Sequence, residues 1–326
     1  MDLIDKINEW DSDLSVRPFD SEDFNSIYEI LDYKEKNFFK QFSPTSGHSY
    51  PTFWDRLESW LGNVSDDCNR RALFEFTLNV HFITEEDIRH LFLSAFSGPI
   101  KRWIIDLHDI VLDQHVDEKL NIQLHNSNTW YCSVTDMAIG ISEFYKVNRI
   151  EGIGIRPDCN TLATLGDKKA IQTYISKKGF NQIVLLEDFV GSGSQVVPIL
   201  KECSTYFGNM PILFVPLIIC SNGLKEISEE LACHNNWRIE PLIEIGEDDL
   251  LNLNTDLSDK PLEREIVKIA EDFSRSKNMP VGVDPVYGFG KTGALIVLNS
   301  NTPNNTMPFI WWTDNWNALF PRSSRT

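Results

Sequence analysis

The spacing of apolar positions in this chain changes partway along it. Trp54, Leu57 and Leu61 recur every three to four residues, as do Ile88, Leu91, Phe92 and Ala95, and then Trp103, Leu107 and Ile110. That is the period of a helix with one buried face. Thr84 and Asp87 form a capping-box-like start, and Pro99 marks a break. The aromatic residues on these faces are read as core, because the helical period already accounts for them. From about Trp130 the pattern becomes alternating. It predicts helices over 137–144, 168–176, 196–206, 224–231 and 262–273, and strands over 150–155, 183–186, 212–219 and about 239–245. Such alternation predicts an α/β fold, a mostly parallel sheet flanked by helices, with an N-terminal helical extension. On this reading the chain divides into a helical region, 1–125, and an α/β domain, 126–326.

One stretch carries candidate chemistry. Ile183 to Gln195 reads IVLLEDFVGSGSQ, an apolar run followed by two acids and a glycine-serine turn. The apolar run has the pattern of a strand buried on both faces, which places Glu187 and Asp188 at its carboxyl end, where open α/β sheets bind ligands. Gly191, Ser192, Gly193 and Ser194 give a turn of little bulk, and backbone N–H groups at a helix start suit a phosphate. Carboxylates accept hydrogen bonds from ribose hydroxyls and hold Mg²⁺ directly or through water. The same residues also suit an ordinary strand-to-helix turn, with serines that cap the helix and acids that face water.

In order and spacing this stretch resembles the phosphoribosyl pyrophosphate loop of type I phosphoribosyltransferases. It departs at one position: Gln195 stands where a hydroxyl residue is usual, beside Ser194. The C-terminal Gly288-Phe289-Gly290, the strand-like 294–298, NTPNNTMPFIWW from Asn301 and the final WNALFPR are similar to a narrower branch. So are the helices around Arg71 to Phe96 and the segment Asn128-Thr129-Trp130. These are phosphoribosyltransferase-like domains of prokaryotic conflict systems, antiphage cassettes that include some retrons. The resemblance runs from about Phe53 to Arg322. It implies that Glu187 and Asp188 hold ribose hydroxyls and Mg²⁺, and that Gly191 to Ser194, with Gln195 at the edge, hold a 5′-phosphate. It also implies a phosphoribosyl pyrophosphate or nucleotide substrate, and a defence-complex partner such as a retron reverse transcriptase.

Composition narrows the partners. Thirty Lys plus Arg against 48 Asp plus Glu leave a formal charge of −18, which repels a nucleic-acid backbone, so direct nucleic-acid binding is not expected. No apolar run approaches the roughly 18 residues of a membrane span. No basic leader with an apolar stretch opens the sequence, and a cytoplasmic location is expected. The six cysteines contain no CxxC pair and are read as reduced thiols. His81, His90, His108, His115 and His125 form no HExxH-like ligand pair.

Gly290-Lys291-Thr292 ends like a Walker A motif, but Pro285 occupies the leading glycine position and a strand-like run follows where a P-loop needs a helix. Lys291 instead suits a cation near a phosphate, or a solvated loop. Asn304 and Asn305, between Pro303 and Pro308, suit contacts to a base or substrate, or a turn that satisfies its own backbone. Asp136 and Arg156 sit where a pyrophosphate loop can be built. The sequence therefore favours glycosyl transfer or cleavage on a ribosyl phosphate or nucleotide in antiphage defence. The alternative is a nucleotide-sensing module without turnover.

Overall fold

The computed structural model describes residues 3–13, 15–21, 23–44, 51–111, 123–135, 137, 140–150, 168–275 and 277–323. Among these the strands are β1 (His81–Ile83), β2 (Thr129–Ser133), β3 (Gln182–Val190), β4 (Ile212–Cys220), β5 (Trp237–Ile239), β6 (Ile243–Ile245), β7 (Val283–Asp284), β8 (Gly288–Phe289) and β9 (Ile296–Leu298). By contact the chain forms two compact units: Met1–Glu85 together with Glu247–Thr326, and Glu86–Gly246. This grouping cuts the chain differently from the 1–125 and 126–326 division read from the pattern.

The unit Glu86–Gly246 is built on a parallel sheet. β2, β3 and β4 lie side by side, and β5 and β6 both pair with the far edge of β4. Every residue of β2 and β4 is buried, as expected for strands covered on both faces. One face packs on Ile171 and Ile175 of the helix Lys168–Lys178, Leu200 and Cys203 of Val196–Phe207, and Ile227 of Ser221–Leu231. On the other, Tyr131 meets Phe144 of the helix Ile141–Val147, their ring centroids 5.3 Å apart. Phe96 also approaches Tyr131, at 6.4 Å. The sheet is thus flanked by helices.

Two prolines shape this unit. Pro216 lies inside β4 because its carbonyl accepts from Leu242 N–H in the gap between β5 and β6, where no ladder bond needs the N–H that proline lacks. The single strand expected over 239–245 is accordingly two short ones, with Pro241 between them. Pro99 does not end a helix, as its sequence position suggested. It sits in a π-helical turn, Phe96–Ile100, that joins Glu85–Ala95 to Lys101–Leu107. A wider turn accommodates the missing donor without stopping the helical path. The helix expected over 137–144 begins later, at Ile141. The strand expected over 150–155, apart from Ile150, lies outside the described residues, as do Asp136 and Arg156.

The other unit has its own core. Trp10, Phe24, Phe53, Trp60 and Phe74 pack with Ile266, Phe309 and Phe320, so N-terminal helices share one interior with the C-terminal segment. The helix Phe53–Leu61 opens on a capping box in which Thr52 and Asp55 exchange backbone and side-chain bonds. β1 and β9 pair in parallel, joining residues more than 200 apart in sequence. No helix among the described residues is long and apolar enough to cross a membrane.

Candidate functional site

The motif strand is longer than its apolar run. Expected to end at Leu186, β3 continues through Val190, because Phe189 and Val190 pair in register with Ile218 and Ile219 of β4. Glu187 and Asp188 therefore lie within the strand and not beyond it, and they are buried, with only 4% and 5% of their surface exposed. An ionised carboxylate at such a position needs hydrogen-bond donors. Glu187 receives two from Thr135, the backbone N–H at 2.9 Å and the hydroxyl. Asp188 accepts the N–H of Phe189 at 2.8 Å.

The turn that follows is arranged around Gly193, whose φ of 78° is open to glycine but strained for other residues. Its carbonyl accepts the N–H groups of both Val196 and Val197, at 3.0 and 2.9 Å, and Pro198 has no N–H. The first donors of the helix Val196–Phe207 are thereby used internally. The backbone N–H groups of Ser192, Gly193, Ser194 and Gln195, by contrast, donate to no protein acceptor among the described residues. Four successive unclaimed donors at a helix start make a receptor for anionic oxygens. No side chain caps this helix, so the serines do not serve as caps. The Ser192 and Ser194 hydroxyls bond one another at 2.7 Å. Gln195 is exposed in a helical conformation at the cap position.

Three neighbouring residues escaped sequence reading. Gly223, in the first turn of Ser221–Leu231, lies against the loop: a Cβ there would stand 2.2 Å from the Gly191 carbonyl oxygen. A helix with side chains at this position cannot approach so closely. Just before it, at the carboxyl end of β4, Ser221 Oγ and Asn222 Oδ1 are buried without a hydrogen-bond partner among the described residues. Ser-Asn-Gly after an apolar strand was a usable signal, but it reads equally as a plain helix start. Thr135 carried no motif at all.

Lys291, Asn304 and Asn305 come together in the other unit. Asn305 is buried, and its amide donates to Phe289 O at 2.9 Å and to Thr292 Oγ1 at 3.1 Å. Phe289 N–H in turn donates to Asn304 O at 2.7 Å. Both N–H groups of Asn305 are thus committed to bracing the 288–293 loop. Lys291 is exposed at a φ of 53°, with Nζ 4.0 Å from Asp284. The short helix Pro308–Trp311 buries Trp311 and leaves Trp312 partly exposed.

No curated protein and no solved structure matches the chain. The family model described as PRTase-CE matches residues 57–322, most of the length. The parallel sheet flanked by helices agrees with that match, and the chain belongs to the PRTase-CE family of phosphoribosyltransferase-like domains.

Proposed function

We propose that the carboxyl end of β3 binds the ribose and 5′-phosphate of a ribosyl phosphate or nucleotide, and that the protein transfers or cleaves the bond at ribose C1. The observation that carries this reading is the run of unclaimed N–H groups from Ser192 to Gln195, directly after the buried acids Glu187 and Asp188. A chain of formal charge −18 attracts no phosphate by its overall field. Local donors and the positive end of the helix Val196–Phe207 supply that attraction instead. Asp188 accepts ribose hydroxyls, and the Ser192 and Ser194 hydroxyls complete the phosphate cradle.

Mg²⁺ fits a site of this donor chemistry. Asp188 offers hard oxygens to such an ion, whereas both oxygens of Glu187 are engaged by Thr135, and the remaining ligands would come from substrate oxygens and water. When bound, the ion neutralises charge on a diphosphate. The bond from C1 to the leaving group breaks with its electron pair on the leaving group, and a nucleophile donates a pair to C1 from the opposite side. The residues here act by holding the ribose and phosphate in place.

The similarity of the C-terminal segment to conflict-system domains supports an effector role in antiphage defence, within a complex that includes a partner such as a reverse transcriptase. Gln195 favours a second reading. It is exposed and supplies no hydroxyl, and the serine hydroxyls face each other, which suits a nucleotide sensor without turnover. Mass spectrometry of nucleotide pools, phosphoribosyl pyrophosphate and NAD, incubated with the protein and Mg²⁺, separates these readings. Loss of a nucleotide or gain of a ribosyl product that Asp188→Asn abolishes supports the enzyme. Binding without product supports the sensor, and neither binding nor product removes both.

A further inference from the structure

Where β2 leaves the sheet, a side chain of β3 holds the residue that follows it. The β2–β3 register ends at Ser133 opposite Leu186, and Val134 N–H still donates to Leu186 O at 3.0 Å. The next N–H, that of Thr135, which a regular parallel ladder would direct away from β3, donates at 2.9 Å to the Glu187 carboxylate. The Thr135 hydroxyl donates to the other carboxylate oxygen. Both oxygens thus grip one residue, one through its backbone N–H and the other through its hydroxyl.

We propose that Glu187 is a positioning residue: it latches Thr135, just past the end of β2, to the motif strand at the carboxyl edge of the sheet. Asp188, next in sequence, keeps the direct ligand role. The consequence for ligand binding rests on the functional reading above, whereas the latch itself stands on the Thr135 bonds. Glu187→Gln keeps a bond to each Thr135 group, its carbonyl oxygen accepting the N–H and its NH₂ donating to the hydroxyl oxygen, whereas Glu187→Ala keeps neither. Valine at 135 keeps the backbone bond and loses the hydroxyl bond. Serine at 135 restores both.

The test combines amide exchange in the unliganded protein with binding of phosphoribosyl pyrophosphate and Mg²⁺. Exchange at Thr135 N–H accelerates in Glu187→Ala and much less in Glu187→Gln. Glu187→Ala weakens binding by about tenfold or more, the scale of a charge-assisted hydrogen-bonded pair. Thr135→Val weakens it less, Thr135→Ser restores it, and the double variant binds as Glu187→Ala does. Unchanged exchange in Glu187→Ala overturns the latch. So does additivity in the double variant, or full affinity in Thr135→Val beside a large loss in Glu187→Ala, since Glu187 then contacts the ligand itself. If the wild-type protein binds no phosphoribosyl pyrophosphate, that counts against this ligand for the functional reading, and the exchange result alone decides the latch.

Discussion

Replacing Gly223 by alanine tests whether the loop is held by close helix contact. The added methyl would stand 2.2 Å from Gly191 O, 3.1 Å from Gly191 C and 3.2 Å from Gly193 N, all of them backbone atoms. Non-bonded heavy atoms settle near 3.5 Å, so the oxygen contact is short by about 1 Å and cannot be relieved by rotating a side chain. Either the helix Ser221–Leu231 or the turn must move. Overpacking of this kind costs about 1–3 kcal/mol, which in a domain of this size lowers Tm by about 2–4 °C per kcal/mol. The larger effect falls on the ligand, because the displaced backbone includes the Gly193 donor. The assay is thermal unfolding with and without phosphoribosyl pyrophosphate and Mg²⁺. Gly98→Ala is the control, since a methyl at that position meets nothing within 4 Å. The reasoning is refuted if Gly223→Ala retains both wild-type Tm and wild-type ligand stabilisation.

Other consequences are independent of the ligand. Glu75, buried in the other unit, accepts the N–H groups of Phe19, Asp20 and Ser21 at 2.6, 2.8 and 2.7 Å. Glu75→Ala strands these donors and should cost about 3 kcal/mol in denaturant unfolding, with Glu75→Gln recovering part of it. Burial, and then the stacked ring of His108 with its centroid 3.6 Å away, hold the His125 imidazole below its ordinary pKa. The unfolded chain therefore takes up this proton first, and the contribution of His125 to stability falls as pH drops from about 7 towards 5. Urea titrations at the two ends of that range should show a loss, reduced in His125→Gln; an unchanged pH slope in that variant would contradict it. Burial pushes the Cys220 thiol up to about 12, whereas Cys68 and Cys233 are exposed. Alkylation near pH 8 should label Cys68 and Cys233 and reach Cys220 only on unfolding, as peptide mass mapping would show.

What the sequence made legible was local. Apolar runs at 183–186 and 212–219 marked the central strands because strands buried on both faces are continuous in sequence. The helical period found most flanking helices. The end of β3 was not legible, since two charges look like a strand's exit until the register with β4 shows Phe189 and Val190 still paired. Ser221, Asn222 and Gly223 were missed because their place beside the loop depends on how β3 and β4 align. The division into units was hidden for a similar reason. Phe309 and Phe320 complete a core with Trp60 and Phe53, and no local pattern announces a partnership across 250 residues of chain. Asn305 carried the polarity of a ligand contact, yet its amide is spent on Phe289 and Thr292.

Hydrogen exchange across the glycine-serine turn tests the central claim most directly. Ser192, Gly193, Ser194 and Gln195 have no protein acceptors for their N–H groups among the described residues, so these amides should exchange rapidly in the unliganded protein. Saturating phosphoribosyl pyrophosphate with Mg²⁺ should slow them strongly, and Asp188→Asn should abolish that protection. Rapid exchange that no ribosyl phosphate or nucleotide alters would contradict a phosphate site at the end of β3.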